Sequence, residues 1–361
     1  MKWIICKNYI VLVLLLPFGL MAHESDRFFK EKIEQKVHKE FDVEEDAALE
    51  INNSFGDVNI TSWDQNKVVI DVTITVRGHN WNKMEERLEN ISIEFQNNPK
   101  LVKATTMIEQ QNNWSWFKSY STTDFQIDYD IKVPVSNHLD ISNDYGSIIL
   151  DDTDGDTQIR CDYGKLILGE LRSTQNELRF DYTSNSSIDY IKKGRIVSDY
   201  SGFDLGEAEQ LSLSADYTSS RIGIVGELDF EADYGKVSVT KAHVIRGNGD
   251  YVTLRFGTIS KQLMVETDYG SFKVAHLLPT VSQVKIDADY TGIRLGLDPE
   301  WDFQFEVDLQ YAGFQSDFDL NFQKKIKENT DKYYLGYRRN PASQNRLDIE
   351  AQYGNLKFVH N

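Results

Sequence analysis

Apolar residues recur along this chain in fixed phase about a repeated tyrosine. Around Tyr217 they are Leu213, Ala215 and Ile222, with the small Ser220 in the same set. Around Tyr234 they are Phe230, Ala232, Val237 and Val239; around Tyr269, Val265, Thr267, Phe272 and Val274; around Tyr290, Ile286, Ala288, Ile293 and Leu295. The inward positions thus fall four and two before the tyrosine and three and five after it. Alternation of period two predicts strands. The parity changes at the tyrosine, so the chain must meet a corner or bulge there. The next residue suits a bend: Gly at 146, 164, 235 and 270, and Thr183, Ser201, Thr218 or Thr291 elsewhere. Threonine tolerates positive φ poorly, which predicts a tight bend at that residue without a left-handed backbone.

An aspartate precedes the tyrosine in nine copies: Asp144-Tyr145, Asp162-Tyr163, Asp181-Tyr182, Asp199-Tyr200, Asp216-Tyr217, Asp233-Tyr234, Asp250-Tyr251, Asp268-Tyr269 and Asp289-Tyr290. Successive copies are 17 to 21 residues apart. A period near twenty marks a solenoid, in which each repeat must stack on its neighbours to bury its apolar face. A rung of that length has a perimeter of roughly 60 Å, enough for two or three short strands. The predicted fold is all-β: a single-stranded β-helix, right-handed by the usual preference of parallel crossovers. Phe55-Gly56, Tyr311 and Tyr353-Gly354 keep the apolar phase but carry Ser54, Gln310 and Gln352 in place of the aspartate. Core packing is the common requirement, and the carboxylate is an addition in the middle of the array.

Several segments break the rhythm. Residues 1–22 read as a secretory signal, with Lys2 and Lys7, an apolar run from Ile10 to Leu16 and the small Ala22 at the cut. Cys6 precedes the apolar run, away from a lipidation cut, and no transmembrane span is expected in the mature chain. Phe29, Ile33, Val37 and Phe41 are spaced by four, predicting a short helical cap within 23–46. Residues 47–140 read as the first rung plus a flank of longer strands: a strand at 67–77, a helix through Met84 and Leu88, and strands at 91–95 and 125–135. Residues 141–361 hold the remaining rungs. Within them an excursion over 322–345 is basic and aromatic, and is expected to pack on the acidic column or cover the far end.

The chain has 57 acidic and 39 basic residues, a net charge of −18; losing Lys2 and Lys7 with the signal would make it −20. Such a surface disfavours nucleic acid and anionic membrane. Cys161 alone would remain after cleavage, expected as a buried thiol.

Stacked in register, the nine aspartates would stand about 4.8 Å apart, each pair repelling by on the order of 1 kcal/mol at solvent dielectric. Each carboxylate is expected to accept a following N–H in an Asx-type turn; Ca²⁺ along the column is the alternative. Asp151, Asp152, Asp154 and Asp156 lack the spacing of an EF-hand loop and read as a solvated turn. Trp114 and Trp116 are two apart, so a strand would place both on one face, as a glycan-stacking pair or a flap. No His-Glu-x-x-His, Cys-x-x-Cys, nucleophile elbow or phosphate loop occurs.

Asn53-Ser54-Phe55-Gly56-Asp57-Val58, Tyr129-Asp130-Ile131-Lys132-Val133-Pro134 and Asn143-Asp144-Tyr145-Gly146, with the later Tyr-Gly rungs, resemble the bacterial putative-adhesin family of β-strand-repeat proteins. The resemblance implies a right-handed β-helix exported to the cell envelope, in the periplasm, at the outer membrane or on the cell surface. It offers no catalytic residues or cofactor to carry over. The expected function is a non-enzymatic scaffold or binding protein whose partner is an envelope protein or a polysaccharide. The alternatives are a polysaccharide-active enzyme using aspartates on adjacent rungs and a calcium-stabilised scaffold.

Overall fold

The computed structural model describes residues 31–109 and 123–360. Their architecture is all-β: 26 strands form one mixed sheet, with a single helix at Trp81–Glu89. In the middle of the chain each strand pairs in parallel with a segment about one repeat later. Gly202–Asp216 lies on Ser219–Glu231, that on Lys236–Asp250, and that on Thr253–Asp268. The aspartates are in register, with Asp162 opposite Asp181, Asp181 opposite Asp199 and Asp268 opposite Asp289. In the Tyr200, Tyr217 and Tyr234 rungs the pairing skips the residues six and nine after the tyrosine, namely 206 and 209, 223 and 226, and 240 and 243. Each lapse is a break in the ladder between two paired stretches of the same long strand.

The expected inward positions are buried without exception in the rungs named above, including Ser220 and Thr267. The apolar ones join one cluster that runs from Val43 to Phe358. Burying a large aliphatic or aromatic side chain contributes roughly 1.5–3 kcal/mol, so a rung with four or five such residues needs its neighbours more than it needs its own turns. Cys161 is a free thiol within this cluster, and burial pushes its pKa up to about 12.

The corner differs from the expectation. The left-handed residue is the tyrosine itself: φ is between 51° and 57° at every tyrosine from Tyr145 to Tyr353 in the series, and 66° at Phe55. Among the described residues no glycine has positive φ. The glycines that follow the corner serve close stacking instead. A Cβ at Gly146 would sit 1.9 Å from the carbonyl oxygen of Gly56, and one at Gly164 2.0 Å from that of Gly146. Where Thr or Ser replaces glycine, its hydroxyl takes the N–H at the corner of the preceding rung. Thr183 N–H donates to Ser201 Oγ at 3.0 Å, Ser201 N–H to Thr218 Oγ1 at 3.2 Å, and Gly270 N–H to Thr291 Oγ1 at 3.0 Å.

The helical cap expected over 23–46 is not a helix where it is described. Glu31–Asp42 is a strand, antiparallel to Lys67–Gly78, with Ile33 opposite Val76, Val37 opposite Val72 and Phe41 opposite Val68. A spacing of four puts residues on one face of a strand as well as of a helix, and the available edge of Lys67–Gly78 decides the outcome. The rest of the flank follows the sequence reading: strands at Lys67–Gly78, Ile91–Asn98 and Thr123–Pro134, and the helix between. Residues 1–30, with the signal and Cys6, and Trp114 and Trp116 lie outside the described residues.

Both ends depart from chain order. Leu101–Ile108 and Thr123–Pro134 add a layer before the Phe55 rung, while the later Tyr145 rung stacks on its other side. At the far end the Tyr353 rung lies between those of Tyr290 and Tyr311. Antiparallel strands then close the stack: Thr123–Pro134 pairs with Lys67–Gly78, and Phe303–Gln310 with Asp331–Arg338. The excursion over 322–345 is therefore a hairpin on the terminal rung. Its Arg338 is buried and donates to the carbonyls of Asp298, Pro299 and Trp301.

The left-handed corner yields a direct test. Tyr217→Gly and Tyr217→Ala lose the same ring contacts, but only alanine keeps a Cβ at positive φ. The glycine variant is expected to be the more stable, by roughly 1 kcal/mol, as read by thermal and denaturant melting. An alanine variant as stable as the glycine variant would refute the strained-corner account.

Candidate functional site: the tyrosine ridge

Because each corner projects its ring outward at the same place, the rings form one column. In space the order is Phe55, Tyr145, Tyr163, Tyr182, Tyr200, Tyr217, Tyr234, Tyr251, Tyr269, Tyr290, Tyr353 and Tyr311. Neighbouring centroids are 4.6 to 5.2 Å apart and the planes lie within 7° of parallel. The ridge spans roughly 50 Å, eleven steps of about one strand spacing. Each tyrosine remains about half exposed, from 47% to 55%. The ring faces are used up against each other, so the ridge offers a partner its ring edges and a row of hydroxyls. Burial first, and neighbouring phenols second, raise the pKa values of Tyr163, Tyr234 and Tyr269. Those hydroxyls stay protonated at neutral pH and are available as donors.

The aspartate column runs beside the ridge. The carboxylate accepts an N–H, but not in its own turn as expected: the donor is the aspartate of the next rung. Oδ1 of Asp162 accepts from Asp181 N–H at 3.3 Å, Asp181 from Asp199 at 2.9 Å, Asp199 from Asp216 at 3.3 Å and Asp216 from Asp233 at 3.2 Å. The relay continues from Asp233 to Asp250 at 2.8 Å, Asp250 to Asp268 at 3.2 Å and Asp268 to Asp289 at 3.0 Å. In the opposite direction each tyrosine N–H from Tyr145 to Tyr269 donates to the next rung's aspartate carbonyl, as from Tyr217 to Asp233 at 2.9 Å and from Tyr251 to Asp268 at 2.8 Å. The carboxylates therefore have backbone partners that need no ligand. Among the described residues no group of three or more His, Cys, Asp or Glu side chains converges to hold a metal.

The acidic turn near 151–156 has its own cation. Arg172 reaches Asp154 at 2.7 Å, and Asp152 and Glu170 at 3.0 Å. Asp151 and Asp152 also accept the N–H groups of Ser62 and Glu170, at 2.8 and 3.0 Å.

One column escaped the sequence reading: the outward residue four after each corner. It is Arg255, Lys273, Arg294 and Lys357 on four successive rungs. Counting outward positions with the same care as inward ones would have found the first three.

No family model matches the chain, and no curated protein matches it. Among solved structures it is similar to a putative adhesin from Parabacteroides merdae, with 8% identity, 90% of this chain and 96% of that one covered, and a TM-score of 0.31. A putative adhesin from Parabacteroides distasonis has 11% identity, coverage of 73% and 93%, and a TM-score of 0.28. A putative cell adhesion protein from Clostridium sporogenes has 10% identity, coverage of 91% and 100%, and a TM-score of 0.20. Likeness at this level fixes neither the fold nor the function of this chain.

Two predictions concern the carboxylates. Asp233→Asn keeps an acceptor for the Asp250 N–H and removes a charge, so its melting temperature should equal or exceed the parent's. Asp233→Ala orphans that N–H and should cost about 1 kcal/mol or more; equal melting of the two variants would remove the relay from the account. The second concerns pH. Burial raises the pKa values of Asp181, Asp216 and Asp289 above the usual carboxylate value. A raised folded-state pKa gives stability that is complete below the unfolded value and lost as pH rises through the folded one. The melting temperature should therefore rise as pH falls from neutrality towards the ordinary carboxylate range. Asp152, held low first by the Glu170 N–H, and Asp204, held low by Arg221, act oppositely only at lower pH. A curve that is flat or falls all the way from neutrality to the ordinary carboxylate range would contradict this, and the triple change to Asn at 181, 216 and 289 should flatten the rise.

Proposed function

We propose that this chain is an exported, non-enzymatic binding scaffold of the bacterial envelope, wound as a right-handed β-helix. The observation that carries the reading is the continuous tyrosine ridge, an ordered, half-exposed strip along nearly the whole stack. Concave sites suit small substrates; a straight ridge with a fixed step suits an extended polymer or the side of another elongated protein. Export rests on the signal read in residues 1–22, and the strong net negative charge fits a soluble envelope component. Among the described residues no helix is long and apolar enough to cross a membrane. The resemblance of the repeats to adhesin-type strand-repeat proteins points the same way.

The test combines processing and location. The mature N-terminus is expected at His23, and the protein in the envelope fraction, by N-terminal sequencing and fractionation. Protease added to intact cells then separates a surface protein, which is cut, from a periplasmic one, which is cut only after the envelope is opened. An unprocessed chain in the cytoplasm would overturn the proposal.

A further inference from the structure

One paired stretch of each rung runs from the tyrosine corner to the break in the ladder six residues later. Only two outward columns stand on it, at two and four residues past the corner. Over the four successive rungs of Tyr251, Tyr269, Tyr290 and Tyr353, the second column is Arg255, Lys273, Arg294 and Lys357, each in parallel register with the next. The first column on these rungs is Thr253, Ser271, Gly292 and Asn355, and the break beyond carries Gly257, Ala275, Gly296 and Val359. Neither flank contains an acid, in a chain with 57 of them.

The four cations are also unneutralised. Among the described residues none of them makes an ion pair or a side-chain hydrogen bond, although Arg160, Arg172, Arg221 and Arg246 are all paired with acids. Arg221 occupies the same column two rungs earlier and is paired with Asp204 on the rung below. Like charges one strand spacing apart repel, and packing does not ask for them here, since Arg255, Lys273 and Arg294 are exposed. A shallow depression of about 430 Å³ lies on this side, lined by Arg255, Ser271, Phe272, Lys273, Gly292 and Arg294. Its floor is open at Gly292, where an added Cβ would meet nothing within 4 Å.

We propose that this side binds a linear acidic polysaccharide of the polyuronate type, lying along the stack axis with the carboxylates of one face against the cation column. The inference rests on the scaffold reading above and names its ligand class. A pyranose advances a linear chain by about the length of one rung, roughly 5 Å. The carboxylates on the face of the chain turned towards the stack would then meet the cation column, while hydroxyls of Thr253, Ser271 and the tyrosine ridge donate to the sugar oxygens. The ridge also stands between this side and the aspartate column, which keeps the polymer from the repelling carboxylates. The field of so acidic a chain opposes any polyanion at long range, so binding must come from contact with the four cations; duplex nucleic acid fits that contact less well, because its phosphates advance about 3.4 Å per strand against roughly 4.8 Å per rung.

The test is binding of the mature chain to a linear galacturonate oligomer, read by calorimetry at low and high salt. A neutral glucan, inorganic polyphosphate and single-stranded DNA serve as comparison ligands. The double variant Lys273→Gln/Arg294→Gln is expected to lose about tenfold or more in affinity, and binding of the parent to weaken with salt. Lys324→Gln/Lys325→Gln/Lys327→Gln, on the end hairpin, should change it by less than about twofold. The double variant should melt no lower than the parent, because it removes a repulsion, whereas a purely structural role would lower its melting temperature. Lys273→Arg should retain binding. Three outcomes would overturn the proposal: no galacturonate binding at low salt, equal loss from the hairpin variant, or tighter binding of polyphosphate or DNA than of galacturonate. Each of these leaves the scaffold reading standing, since that reading fails only if the chain is unprocessed and cytoplasmic.

Discussion

Each rung turns on a residue held in a backbone region that L-amino acids disfavour by roughly 1–2 kcal/mol. Twelve corners carry that cost, from Phe55 to Tyr353. An offset aromatic pair contributes about 0.5–1.5 kcal/mol, so ring stacking alone does not reliably offset the strain. From the Asp162 rung to the Asp289 rung two bonds that cross each step add to it, tyrosine N–H to the next aspartate carbonyl and next aspartate N–H to the carboxylate. Ring, carboxylate and corner are thus one device. The aspartate gives way to Ser54, Gln310 and Gln352 in the outer rungs, each of which has an out-of-order rung or an antiparallel strand on one side.

The ends solve the opposite problem, that of stopping a structure able to add rungs indefinitely. Both place a rung out of chain order and close with antiparallel strands. The outermost strands are then poor templates for further pairing. Glu31–Asp42 carries Lys32, Lys36 and Lys39, and Asn321–Glu328 carries Lys324, Lys325 and Lys327; charged side chains on an edge oppose recruitment of another chain. The basic and aromatic character of the excursion over 322–345 belongs to this closure, with Lys325 over Phe322 and Arg338 over Phe318.

Much of this was legible from residues alone, and the failures have physical causes. Period, inward positions, corner location and the strands of the 47–140 flank could be read because each is written in local spacing. The conformation of the corner could not: the Thr and Ser after the tyrosine argued against a left-handed residue at that position, and the strain in fact sits on the tyrosine before it. The segment 31–42 was misread because Ile33, Val37 and Phe41 satisfy both periods, and only the partner Lys67–Gly78 distinguishes them. The aspartate bonds were misassigned because an Asx turn is local whereas the observed acceptor serves a residue about eighteen positions away.

The basic side shows the same limit in its sharpest form. Arg255, Lys273 and Arg294 fall in phase along the sequence, but Lys357 joins them only because the last rung inserts beneath the Tyr311 rung, whose equivalent residue is Gln315. In chain order the column would be interrupted by a glutamine; in space it is four uninterrupted cations. A net charge of −18 says what the whole molecule repels at distance. Contact specificity is set by which charges the rungs bring side by side. On this side of the stack they bring together the sign opposite to that of the molecule as a whole, with no acid to neutralise it.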